Sequence, residues 1–148
     1  MQIREVNERT EELLNDLLEV WEDSVKATHT FLSTEEIKKI KEYVPEALKN
    51  IKNLIIGENG NSIPIAFMGI ENQKLEMLFI KNSERKKGLG KKLLIYGIEK
   101  YNINELTVNE QNLNAKSFYE HMGFKTYKRT DLDEQGNPYP ILYMKLDK

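Results

Sequence analysis

Leu75-Glu76-Met77-Leu78-Phe79-Ile80 and, a few residues on, Arg85-Lys86-Lys87-Gly88-Leu89-Gly90 are the stretch on which the reading of this chain turns. The first run is apolar and strand-like. After the second, Leu89, Leu93, Leu94, Ile98 and Tyr101 recur at i, i+4, i+5, i+9 and i+12, the spacing of one helical face. Two glycines therefore sit where a strand hands over to a helix. Glycine lets backbone N–H groups crowd around an anion. The unpaired N–H groups and the dipole of a helix start favour negative charge there. Arg85, Lys86, Lys87, Lys91 and Lys92 add cations at the same place. The chemistry implied is phosphate or pyrophosphate binding.

Two familiar phosphate loops do not fit. A P-loop needs a glycine where Arg85 stands and a Ser or Thr where Lys92 stands, so the magnesium-binding hydroxyl is missing. A dinucleotide fingerprint needs a third glycine at Leu93. These residues by themselves also allow a plain solvated helix start or a nucleic-acid patch.

Downstream lies Asn112-Leu113-Asn114-Ala115-Lys116-Ser117-Phe118-Tyr119-Glu120-His121-Met122-Gly123-Phe124. Together the two segments resemble the GNAT-type acyl-CoA N-acetyltransferases. In that family an (Arg/Gln)-x-x-Gly-x-(Gly/Ala) turn cradles the coenzyme A pyrophosphate. A later Asn-x-x-Ala-x-x-(Phe/Leu)-Tyr-x-x-x-Gly-Phe segment adds a cofactor contact and a tyrosine beside the sulfur. Arg85, Gly88 and Gly90 match the first pattern, and Asn112, Ala115, Phe118, Tyr119, Gly123 and Phe124 the second. The resemblance runs from about residue 1 to 147.

Composition is consistent with it. A chain of 148 residues is expected to form one domain, residues 1–148, with room for a real core. Net charge is −2, so the basic residues act locally, and no nucleic-acid partner is expected. The absence of cysteine excludes disulfides, thiolate nucleophiles and thiolate zinc sites. His29 and His121, far apart, make a poor metal site, and no metal is expected. No apolar run approaches the roughly 20 residues of a membrane span, nor does the N-terminus read as a signal peptide. A cytoplasmic protein without membrane attachment is expected, as monomer or homodimer.

Along the chain, a strand at Ile3–Val6 precedes a helix from about Thr10 with Glu11 and Glu12 in its first turn. That helix presents Leu13, Leu14, Leu17, Leu18, Trp21 and Val25 on its apolar face. Ser33 and Glu36 form a capping-box pattern for a second helix. Strands at Asn53–Glu58 and Ile63–Ile70 flank a turn at Asn59-Gly60-Asn61. The strand at 75–80, the Gly-turn helix, a strand at Glu105–Val108 and a helix at about Leu113–Met122 follow, and two strands around 133–137 close the chain. The order β-α-α-β-β-β-α-β-α-β-β agrees with the fold the resemblance implies. That fold is a mixed α/β (α+β) single domain, with a twisted, mostly antiparallel central sheet splayed in the middle and helices on both faces.

The resemblance implies transfer of an acetyl group from acetyl-CoA to a primary amine by direct attack in a ternary complex. Cofactor contacts fall to the backbones of Leu78, Phe79 and Ile80, to the turn Arg85, Lys86, Lys87, Gly88, Leu89, Gly90 and Lys91, and to Asn112. A backbone N–H of the strand meets the oxyanion. Tyr119 is the general acid, since a phenol of ordinary pKa about 10 keeps its proton at neutral pH. Spacing by itself makes Tyr119 a core aromatic, as it shares a helical face with Ala115, Phe118 and Met122. Asn112 is also a natural N-cap. Glu76 is a candidate base, against a water chain. Trp21, His29, Tyr139 and Tyr143 border the acceptor site, His29 and Tyr139 because Thr28-His29-Thr30 and Gly136-Asn137-Pro138-Tyr139-Pro140 resemble stretches of small bacterial family members. The family often has a proline before the turn, where this chain has Asn82-Ser83-Glu84. The alternative reading is a non-catalytic coenzyme A-binding sensor or interaction module.

Overall fold

Three of the helices start where a side chain satisfies an orphan N–H group. Thr10 caps α1 (Glu11–Thr28) by accepting from the Leu13 N–H, and Glu11 and Glu12 oppose the positive helix end. Ser33 and Glu36 form a reciprocal capping box on α2 (Thr34–Asn50). α3 (Leu89–Tyr101) and α4 (Leu113–His121) complete the helices among the described residues, and a short 3-10 turn occupies Asn82–Glu84. The computed structural model describes residues 1–147.

The strands are β1 (Gln2–Glu5), β2 (Asn53–Glu58), β3 (Pro64–Glu71), β4 (Lys74–Ile80), β5 (Glu105–Asn109), β6 (Phe124–Thr130) and β7 (Ile141–Leu146). They form one seven-stranded sheet in the order β1-β2-β3-β4-β5-β7-β6. Every neighbouring pair is antiparallel except β4 and β5, which run parallel through α3 as the crossover. The expected fold class and element order are what the structure shows, with strand and helix ends shifted by a residue or two.

Both sheet faces are covered in the middle, which is why β2 and β3 read as unbroken apolar runs. Side chains alternate between two cores. Leu54, Ile56 and Phe67 face α1 and α2, where they meet Leu17, Val20, Trp21 and Leu48. Ile55, Ala66, Met68 and Ile70 face α3 and α4, where they meet Leu93, Leu94, Ile103 and Phe124. The free edge strand β6 carries Lys125, Lys128 and Arg129, charges that discourage another chain from pairing with it. None of the described helices is long and apolar enough to cross a membrane.

Leu93 is wholly buried between α3 and the sheet. Leu93→Ala should therefore lower unfolding free energy by about 2–5 kcal/mol, read as a lower urea midpoint at unchanged slope. A loss under about 1 kcal/mol would contradict this packing of α3.

Candidate active site

The site begins where the sheet stops being continuous. β4 and β5 share only the pairs Lys74–Glu105 and Leu75–Leu106, while β5 pairs with β7 along its full length. Past Leu75 the two parallel strands part. On the other side of β4, the register against β3 steps from Ile70↔Leu75 to Gly69↔Met77, so Glu76 is an extra bulge residue. A bulge re-aims the side chains that follow it. Met77 and Phe79 thereby point to the α1/α2 core and Leu78 and Ile80 to the α3/α4 core.

The opening holds two adjoining hollows. A cleft of about 610 Å³ runs from the end of β4 to the start of α3. Its lining includes every residue expected to hold the cofactor except Lys87, whose ammonium instead lies 3.4 Å from Glu84. A smaller hollow of about 140 Å³ lies between Leu75, Glu76 and Met77 of β4 and Thr107, Val108 and Asn109 of β5. The two share His29, Leu78, Phe79, Asn112, Ala115 and Tyr119.

The floor of the cleft is built for an anion. Gly88 is the N-cap of α3 with φ +79°, a left-handed conformation that glycine adopts without strain. No side chain caps this helix. The N–H groups of Gly88, Leu89, Gly90 and Lys91 thus have no partner within the helix. A Cβ at Gly90 would stand 3.1 Å from Ile80 Cδ1 and 3.6 Å from Phe118, so any larger residue there would require Ile80 to yield by a few tenths of an ångström. Arg85, Lys86 and Lys91 border the same space and pair with no carboxylate among the described residues. A diphosphate suits this floor, and an extended chain suits the unpaired edge of β4. The Asn82–Glu84 turn takes the place of the family's proline, and Asp23 pins it by accepting the Asn82 N–H at 2.7 Å.

Tyr119 combines both expected characters. Its ring packs on Phe118 and Phe124 in the core. Its hydroxyl makes no hydrogen bond among the described residues, yet no buried polar side-chain atom there is left without a partner, so the oxygen opens onto the hollows. Burial pushes the phenol's pKa well above its ordinary value, and the proton is held. Asn112 caps α4 by accepting from the Ala115 N–H at 3.3 Å and still lines the cleft.

The remaining candidates divide. Glu76 lines the small hollow, exposed and 3.6 Å from Lys74. His29 lines both hollows, and burial lowers its pKa, so it is neutral at physiological pH. Tyr139 lies outside the lining, donating to Glu36 and stacking on Phe31, which in turn stacks on His29. Tyr143 sits directly opposite Thr107, beside the small hollow, with Lys128 over its ring. Trp21 is not brought to either hollow; it is 4 % exposed in the α1/α2 core, where the apolar face of α1 carries it. Sequence reasoning passed over Ser24 and Thr28, which line the cleft from α1, and Asp23; a Thr-His pair at a helix end was the one signal available for Thr28.

Residues 16–146 match the acetyltransferase (GNAT) domain family. The peptidyl-lysine N-acetyltransferase YjaB of Salmonella typhimurium is 35 % identical over 126 residues, 85 % of this chain and 86 % of its own. The solution structure of apo-form YjaB from Escherichia coli superposes with TM-score 0.87 at 33 % identity, over 98 % of this chain and 97 % of that one. A crystal structure of the PaiA N-acetyltransferase of Thermoplasma acidophilum in complex with coenzyme A gives TM-score 0.71 at 28 % identity, over 98 % and 99 %. A splayed sheet, an uncapped glycine turn at the start of α3 and a sequence match across nearly the whole chain agree: this protein belongs to the GNAT acetyltransferase family and is an N-acetyltransferase.

Proposed function

We propose that the chain moves an acetyl group from acetyl-CoA to the side-chain amine of a peptide lysine by direct attack in a ternary complex. The observation that carries this is the junction of two hollows at Tyr119, one with a cationic, N–H-rich floor and one bordered by acidic Glu76. The first suits a diphosphate and an extended thioester arm, and the second suits an entering ammonium. The lysine acceptor is taken from the peptidyl-lysine activity of the YjaB relative.

The residues divide the work. Arg85, Lys86, Lys91 and the N–H groups at Gly88–Lys91 hold the pyrophosphate. The open edge of β4 at Leu78, Phe79 and Ile80 hydrogen-bonds the arm, and one of its N–H groups polarises the thioester carbonyl. As the C–N bond forms and the C–S bond breaks, Tyr119 gives its proton to the departing sulfur. Desolvation that keeps the phenol neutral acts on the thiolate as well, which raises its demand for that proton. Holding both reactants in one opening removes the entropy of a bimolecular encounter.

Tyr119→Phe should lower kcat by about 10²- to 10⁴-fold with acetyl-CoA affinity unchanged, measured by steady-state kinetics and calorimetry. Unchanged turnover would remove Tyr119 from the acid role. Gly88→Glu forces a side chain into a left-handed position and puts negative charge in the cradle. Acetyl-CoA binding should weaken by at least about tenfold, or 1.4 kcal/mol. Equal affinity in calorimetry would contradict the pyrophosphate site.

A further inference from the structure

Six residues are common to the two hollows, and only His29 and Tyr119 among them are ionisable. A reaction between a group in one hollow and a group in the other meets both. Acetyl transfer needs one proton delivered to sulfur and one taken from nitrogen, so the partner of an acid at Tyr119 is sought first at His29.

The hydrogen bonds of His29 settle which nitrogen could do this. Its Nδ1 lies 2.8 Å from Thr28 Oγ1, and the same hydroxyl lies 2.9 Å from the Ser24 carbonyl oxygen. A hydroxyl has one proton, and a carbonyl can only accept. Both contacts are hydrogen bonds only if Thr28 donates to Ser24 and accepts from Nδ1–H. That places the ring proton on Nδ1 and a lone pair on Nε2. Nε2 has no hydrogen-bond partner among the described residues, and it is not a sealed buried atom. The imidazole is further fixed by the contact with Phe31 at 5.4 Å and by its backbone, whose N–H bonds the Val25 carbonyl at 2.8 Å.

We propose that His29 Nε2 is the general base of the reaction, with Thr28 as the positioning residue that holds its tautomer. This rests on the acetyl-transfer reading above. The neutral amine attacks the thioester carbonyl, and the nitrogen becomes strongly acidic as the C–N bond forms. Nε2 takes the N–H proton while the C–S bond breaks and Tyr119 protonates sulfur. The imidazolium then returns its proton, through solvent in the shared opening, to the Tyr119 oxygen. Glu76, the earlier candidate, lines only the acceptor hollow and is left to attract the incoming ammonium.

The sign of the pH dependence follows from burial. Desolvation lowers the pKa of His29 below its ordinary 6.5, so the base is available above that value and is lost as pH falls through the shifted one. The ionisable groups lining the same hollows are Glu76 on β4, Tyr119 and His121 on α4, Glu84, Arg85 and Lys86 before α3, and Lys91 on α3.

The test joins ¹⁵N NMR of the imidazoles with kinetics on the full chain. His29 and His121 are the only histidines, so His121→Gln assigns the spectrum. At pH 7 His29 should show a protonated Nδ1 and a bare Nε2; a proton on Nε2 overturns the proposal. With acetyl-CoA and a blocked lysine peptide, His29→Gln should lose about 100-fold or more in kcat/KM together with the acidic limb of its pH profile, with acetyl-CoA binding intact. Thr28→Val should lose less, while mixing the two tautomers in the spectrum. Wild-type rates and an unchanged acidic limb in His29→Gln overturn the base alone. Failure of the wild type to bind acetyl-CoA overturns the acetyl-transfer reading, and the base with it.

Discussion

Parallel strands β4 and β5 pair over two residue pairs and then part, leaving backbone N–H and C=O groups of β4 without a neighbouring strand. Such groups need partners, and a sheet opened in its middle offers them to a guest rather than to itself. Two cores keep the opening from closing. α1 and α2 clamp β2, β3 and β4 from one face, and α3 and α4 hold β5 and its neighbours from the other. The bulge at Glu76 keeps β4 in register with both layers as it leaves β5. Everything assigned to function here borders that gap.

One physical cause sets the protonation of the two groups at the centre of the gap. Burial disfavours the charged form of each, which raises the Tyr119 pKa and lowers that of His29. A neutral phenol and a neutral imidazole, the proposed acid and the proposed base, are thus present together around neutrality. The cationic floor a short way off has the opposite design, with exposed charge and free N–H groups that suit an anion at the far end of the cleft.

Much of this was legible from local signals. The caps at Thr10, Ser33 and Asn112, the glycine turn and the alternating strands are all set by neighbours within a few residues, and the element order followed from them. What the sequence did not reveal depended on distant partners. Trp21 reads equally well as a pocket aromatic or a core one; only the packing of α2 and the sheet against it decides for the core. Lys87 looks like its neighbours until Glu84 takes it. The bulge at Glu76 was not legible, because it is a register event between two strands. The tautomer of His29 depends on where the end of α1 puts the Ser24 carbonyl.

The central claim is that the cofactor's pyrophosphate rests on the start of α3 and its arm on the open edge of β4. Titration of ¹⁵N-labelled protein with acetyl-CoA, followed by amide chemical shifts, tests it most directly. The account predicts the largest shifts at Gly88, Leu89, Gly90 and Lys91, with further changes at Leu78–Ile80 and little change on the β6 edge. Saturable shifts centred elsewhere, or none, would contradict it.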